Sequence, residues 1–346
     1  MTLISEITPQ PTRTAIDEHL EGQQTPRHSN RLGGSVIGKK CSRELFYGFR
    51  WAFPAEKFKG RILRLFGVGH QLEAEFSNYI RNTGANVYEL DPVTGKQFEV
   101  NAIGGHVVGF LDGKGIGLAE APKQMHLIEY KTHNDKSFKD LVKKGLQVSK
   151  PEHYAQMQTY MHLTGLTCGL YVAYNKNDSD LHVIRVKYNN EDATALMAKA
   201  ERIITDIAPP AKISTDPSHF DCRFCKAFEI CHKQELPERN CRTCMHSYAD
   251  TMGDKGQWVC GKDKKVIATA FQKQTHPCHR YLPQLLSWKQ CDAKIDEDSG
   301  ELISVGYQRD DGIFWDSGPG VEAEVTPPPS PEIAIMPWHV MPGGSS

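Results

Sequence analysis

Apolar residues first recur at helical spacing in residues 35–51, where Val36, Ile37, Cys41, Leu45 and Phe46 alternate with Lys39, Lys40, Arg43 and Arg50. Residues 61–83 predict a second helix, with Leu63, Phe66, Leu72, Phe76, Tyr79 and Ile80 on a rough stripe. On that helix His70 and Glu73 stand one turn apart and can face one site. From residue 87 to 185 the period shortens to that of strands. Runs rich in Val, Ile, Tyr and Phe occupy 87–90, 106–111, 126–131, 168–174 and 181–186. Residues 151–164 predict a helix between the third and fourth runs. Residues 190–207 predict another after the last, capped by Asn190 and stopped by Pro209 and Pro210. This order of helix, three strands, helix and strands predicts an α/β fold, a mixed central sheet flanked by helices.

The ends read differently. Residues 1–34 are polar, carry Pro9, Pro11 and Pro26, and predict a flexible arm with at most a short helix over 15–20. The folded body spans 35–235. Eight of the ten cysteines lie between Cys222 and Cys291, in segments of little periodicity that predict folding around metal, with a Cys-rich module over 236–290. Residues 291–346 form an acidic tail whose Pro-, Gly- and Ser-rich stretch from 327 predicts disorder.

With 346 residues, 39% of them hydrophobic, the chain can bury a core without disulfide staples. No apolar run approaches the length of a bilayer span, so no membrane partner is expected. The first residues lack the basic and apolar stretches of an export signal, so a cytoplasmic location is expected. There thiols stay reduced, and clustered cysteines point to metal. The net charge of −1 hides a split: residues 291–346 carry −9 and residues 1–290 carry +8, a balance that suits an anionic partner. No nucleotide cofactor is expected. Gly33-x4-Gly38-Lys39 is followed by Lys40 where a phosphate loop needs Ser or Thr, and Gly113-x-Gly115-x-Gly117 opens no helix and reads as a turn.

The chemistry gathers in the strands. Gly109-Phe-Leu-Asp-Gly113 ends one run with an acid in a glycine turn, and Leu127-Ile-Glu-Tyr-Lys131 ends the next. Strand alternation puts Glu129 and Lys131 on one face. If the two runs are neighbours, Asp112 and Glu129 converge as hard oxygen ligands for a divalent ion beside Lys131, a grouping suited to phosphodiester hydrolysis. His70, with Glu73 as an accessory, can complete the shell. On the helix that follows, Gln156 and Tyr160 share a face next to His153. Taken singly, Asp-Gly is a turn and Glu-x-Lys a solvated strand end; the ordered set carries the weight.

That set, His70, Gly109-Phe-Leu-Asp112, Glu129-Tyr-Lys131 and Gln156-Met-Gln-Thr-Tyr160, resembles the PD-(D/E)XK nuclease superfamily in its RecB-like branch, over about residues 35–235. The resemblance implies a restriction-endonuclease-like core and a DNA exonuclease acting on single strands or duplex ends. It implies Mg²⁺ or Mn²⁺ on His70, Asp112 and Glu129, a catalytic Lys131, and DNA contacts from Gln156 and Tyr160. A structure-selective endonuclease and a DNA-end binding module without turnover are the alternatives. Cys41 with Cys222-x2-Cys225-x5-Cys231 resembles the iron–sulfur subgroup of these nucleases, as in AddB and the CRISPR adaptation nucleases, which implies a 4Fe-4S cluster; zinc on the same four thiolates is the alternative. The length and overall look resemble phage-encoded members, which implies a host bacterial cytoplasm and a recombination or replication protein as partner.

Three further groups have two readings each. Cys241, Cys244, Cys260 and Cys278 form a zinc pattern with His246, His276 and His279 as spare donors, in a module that touches DNA or is simply a folded appendage. Lys136, Lys139, Lys143, Lys144 and Lys150 are phosphate contacts or a solvated face. Arg43, Arg50, Trp51 and Phe53 offer cationic and stacking contacts to single-stranded DNA or are buried. Cys168 reads as a buried small apolar residue, and Cys291 has no assignment.

Overall fold

The structure, a computed structural model, describes residues 10–274, 276–300 and 302–316. Among them no helix is long and apolar enough to cross a membrane. The chain divides into two compact units. One contains the residues up to Gly38 with Ala55–Ala102 and Val107–Lys199; the other contains Lys39–Pro54, Ile103–His106 and the residues from Ala200 onward.

In chain order the elements to residue 205 are α1 (Pro11–Gly22), β1 (Leu32–Gly33), α2 (Ser42–Phe49), α3 (Gly60–Asn82), β2 (Asn86–Tyr88), β3 (Glu99–Ala102), β4 (Val107–Phe110), β5 (Gly113–Ile116), β6 (His126–His133), α4 (Asp135–Lys144), α5 (Leu146–Ser149), α6 (Pro151–Thr164), β7 (Cys168–Asn175), β8 (Leu181–Lys187) and α7 (Asn190–Thr205). The first unit is built on a five-stranded sheet of order β2-β5-β6-β7-β8. Only β6 and β7 pair in parallel, so the sheet is mixed, as the sequence predicts. This parallel pair is buried along nearly its whole length because both faces are covered. Ile128, Tyr130, Leu170 and Val172 pack with Phe76 of α3, while Leu127, Tyr171 and Ala173 pack with Phe138, Met157 and Met161 of α4 and α6. Within the second of those layers α6 is buried from Ala155 through Met161, all round its axis. Pro151 starts it, and Gly165 (φ 71°) ends it in the left-handed conformation.

Several expectations are corrected. Residues 113–116, read as a turn, form β5, the second strand of the sheet, beside β6; a Cβ on Gly115 would stand 2.8 Å from Ile128 Cδ1, so glycine here admits a close approach across the sheet. The stretch expected to be a flexible arm contains α1, held to α3 by the Arg64–Asp17 ion pair and by the Glu21 carboxylate on the Gly60 N–H at 2.8 Å. On α3, Phe66 and Tyr79 point to solvent although Phe76 is buried. The cap of α7 is Asn189, whose Oδ1 accepts the Glu191 N–H at 3.0 Å, instead of Asn190.

The second unit contains more apolar core than its sequence suggests. Phe46 and Tyr47 of α2 cluster with Ala227, Ile230, Leu282 and Leu285, drawing Cys225 against them. The Arg242 guanidinium is buried 3.8 Å from the Trp51 ring centroid and donates to Phe49 O at 3.0 Å. Arg50 and Trp51 are buried too, the second of their two readings, and not surfaces for single-stranded DNA. Later elements are α8 (Phe220–Arg223), α9 (Phe228–His232), the antiparallel sheet β9 (Ser247–Ala249), β10 (Trp258–Cys260) and β11 (Lys265–Ile267), and the meander β12 (Lys289–Ile295), β13 (Leu302–Gln308) and β14 (Phe314–Asp316). This meander lies where an acidic tail was expected and buries Val305 and Tyr307 against Tyr281 and Leu286. The stretch 327–346 and the Cys291 side chain lie outside the described residues.

Candidate active site

Asp112 leaves β4 just before β5, and Glu129 and Lys131 sit on β6. The β5–β6 register, Gly113 opposite Ile128, brings Asp112 level with Glu129, and the N–H of the next residue, Tyr130, donates to Asp112 Oδ2 at 2.9 Å. Glu129 is fully buried. Its Oε1 accepts from Lys131 Nζ and, at 2.7 Å, from Gln156 Nε2, while Oε2 is buried with no hydrogen-bond partner. Burial, and after it the negative charge of Asp112, raises the Glu129 carboxyl to about 7 against the pull of Lys131. Asp112 is likewise raised by burial, opposed by Lys131, the Tyr130 N–H and His70. Burial alone would lower Lys131, but Glu129 and Asp112 outweigh it and hold the ammonium charged.

Tyr160 lies one turn beyond Gln156 on α6, buried against the β1–β4 pair. β1 and β4 run parallel, Gly33 opposite Val108, so Gly34 and Gly109 come side by side under its ring. A Cβ on Gly109 would reach 2.8 Å from Tyr160 Cζ, and one on Gly34 3.3 Å from the same atom. The glycine of the Gly109-x-x-Asp112 motif is therefore a seat for Tyr160. Gly34 shares this duty and carried no signal in the sequence beyond its place in a Gly-Gly pair.

His70 and Glu73 stand on α3. Their side chains are 3.6 Å apart, with His70 79% exposed. Glu73 is raised by burial and by Asp112, which puts it in the same electrostatic neighbourhood. Behind Lys131, the Tyr171 hydroxyl lies 3.0 Å from His133 Nε2 and 2.7 Å from His153 Nδ1, a buried bridge between two imidazoles that sequence spacing does not reveal. Burial and then Lys150 push His133 down to about 4. The lysine run is mostly surface ion pairing: Lys139 with Asp135 at 2.9 Å and Lys144 with Asp140 at 2.7 Å. A cleft of about 600 Å³ lined by Leu146, Tyr154, Ile184, Arg185 and Tyr188 contains none of the candidate residues.

Among the described residues no three His, Cys, Asp or Glu side chains are gathered closely enough to hold a metal ion. The donors of Asp112 and Glu129 nonetheless suit a hard cation. Two neighbouring carboxylates resist ionising together, and one has a buried oxygen with nothing to bind. Cys41, Cys222, Cys225 and Cys231 all belong to the second unit. Burial raises the Cys222 thiol, and Cys41 and Cys231 add to it, so the set shares one neighbourhood without standing at ligand distance. The Cys241 thiol is pushed up to about 12 by burial and then by Cys244, Cys278 and Cys260. Two of the three spare donors are engaged elsewhere: His279 is buried against the Thr243 hydroxyl at 3.2 Å, and His276 stacks on Phe271 at 3.8 Å. Cys168 is buried, as expected.

No protein-family model and no curated protein matches the chain. Among solved structures it is similar to LHK-Exo, an alkaline exonuclease from Laribacter hongkongensis. The complex with dAMP matches at 21% identity and TM-score 0.38 over 50% of this chain and 86% of that one. The structure of SSO0001 matches at 17% identity and TM-score 0.36 over 64% and 96%.

Proposed function

We propose that the first unit is a PD-(D/E)XK nuclease of the RecB-like branch, a Mg²⁺- or Mn²⁺-dependent DNA exonuclease acting on single strands or duplex ends. The observation that carries this is the buried Glu129, tied through Oε1 to both Lys131 and Gln156 beside Asp112, with its other oxygen left without a partner. Asp112 and Glu129 would hold the cation, with His70 and Glu73 as outer donors. When bound, the cation supplies Lewis acidity at the scissile phosphate and lowers the pKa of water. Lys131, kept charged by both carboxylates, offers its ammonium to the phosphate oxygens, where negative charge grows during hydrolysis. In place of the DNA contacts that the resemblance implies, the buried Gln156 fixes the Glu129 rotamer, and the buried Tyr160 holds α6 at a set height over β4. In the second unit we assign Cys41, Cys222, Cys225 and Cys231 to a 4Fe-4S cluster and Cys241, Cys244, Cys260 and Cys278 to zinc; both are structural. Support for these is the shared neighbourhood of each thiol set.

The test is digestion of end-labelled linear and of closed circular single-stranded DNA with Mg²⁺ or Mn²⁺, using anaerobically purified protein. Lys131→Ala should slow loss of the linear substrate by at least about 10²-fold, the scale for removing one stabilising donor. Cleavage of circles would replace the exonuclease reading with an endonuclease one. Equal inertness of wild type and variant with metals present would refute turnover and leave a DNA-end binding module.

A further inference from the structure

Phe220 and Phe224 are 73% and 72% exposed, although the same short segment buries Cys222, Ala227 and Ile230. They flank α8 at i and i+4, so the helix turns both to one side. Their ring centroids are 5.9 Å apart at an interplanar angle of 69°. The Arg223 guanidinium lies 5.3 Å from the Phe224 centroid. Arg223 and Lys226 are exposed, and Lys40, with a side chain 73% exposed, stands 3.7 Å from Asp221.

We propose that this surface binds an unpaired strand of nucleic acid, with bases stacking on Phe220 and Phe224 and phosphates meeting Arg223, Lys226 and Lys40. A protein partner favours a continuous apolar patch with charge kept to its rim. Here the apolar area is only two rings set edge to face, with the cationic side chains of Arg223, Lys226 and Lys40 exposed on the same segment and its neighbour. Exposed aromatic rings beside cations match flat bases joined by anionic phosphates, the recognition used where sequence is not read. A guanidinium on an aromatic face adds a second stacking plane of positive charge. The proposal concerns the second unit alone. It goes beyond the nuclease reading and needs no turnover, so the two can fail separately.

The experiment measures binding of fluorescent dT15, and of a 15-residue abasic strand with the same phosphates, in buffer without added divalent ions. Wild type should prefer dT15. Phe220→Ala/Phe224→Ala should weaken dT15 binding at least about tenfold while leaving the abasic affinity and the salt dependence unchanged, because stacking is worth about 1–3 kcal/mol per base and phosphate contacts set the salt slope. Phe224→Trp should keep the affinity, and the fluorescence it adds over wild type should be quenched by unlabelled dT15. Unchanged dT15 affinity in the double variant overturns the proposal, as does a loss shared equally by the abasic strand. If the double variant does not fold, the absence of quenching in Phe224→Trp at saturating dT15 overturns it instead. Self-association of wild type that Phe220→Ala/Phe224→Ala abolishes, with no dT15 preference, would overturn it in favour of an interface between copies.

Discussion

Gly109→Ala places one methyl group where the structure has no room. The new Cβ would stand 2.8 Å from Tyr160 Cζ and closer still to Cε1. Ordinary carbon contacts lie at about 3.5–4.0 Å, so the ring must withdraw by about 1 Å. It cannot do so freely: Tyr160 is 3% exposed, and α6 is buried on every side through this stretch. Overpacking of such a site costs about 1–3 kcal/mol. Withdrawal also moves Gln156, one turn away, from its 2.7 Å bond to Glu129 Oε1. A displacement of about 1 Å in supporting structure can cost about 10²-fold in rate. The assays are urea unfolding followed by circular dichroism and digestion of linear DNA. Combining Gly109→Ala with Tyr160→Leu, which removes the obstructing ring edge, should recover part of the stability, with a coupling of about 0.5–3 kcal/mol. An unchanged unfolding midpoint for Gly109→Ala, or a strictly additive cycle, would refute the steric account.

Two further outcomes follow from the electrostatics. Mn²⁺ at about 100 times its dissociation constant should stabilise wild type by about 2.7 kcal/mol in a thermal melt, and Asp112→Asn should lose this gain without being less stable in metal-free buffer; an equal gain in both would place the cation elsewhere. His133 is held neutral, at about 4, against an unfolded value of about 6.5. Its folded pKa is depressed, so below pH 6.5 the unfolded chain binds the extra proton and stability falls as pH drops toward 4, by on the order of 3 kcal/mol. His133→Gln should flatten the unfolding profile in that window, and parallel profiles for the two proteins would contradict it.

The elements that carry strong periodicity were legible. The helix over 151–164 and the strands around 126–131 and 168–174 come from unbroken patterns, and the carboxylates and lysine follow from motif spacing. β5 was hidden because two of its four residues are glycine, chosen for close packing across the sheet, where β-propensity says nothing. Only the middle of α1, 15–20, was legible, because the helix buries no residue and is held by polar contacts to α3. The core of the second unit was illegible for another reason: Phe46 and Leu285 belong to one cluster from opposite ends of the chain. The Tyr171 bridge joins a strand to a helix and a second strand, a relation no local spacing encodes.

The interleaving of the two units sets an order of events at the ribosome. Lys39–Pro54 is made early, yet apart from the four residues Ile103–His106 its structural companions begin only at Ala200. At about 5–20 residues per second, Phe46 and Tyr47 wait on the order of ten seconds before Ala227 and Ile230 exist to cover them. During that wait Phe46 and Tyr47 lack the partners that bury them, which makes this strip of nascent apolar chain a target for a holding chaperone. Neither unit can be inherited or transplanted as one continuous cassette.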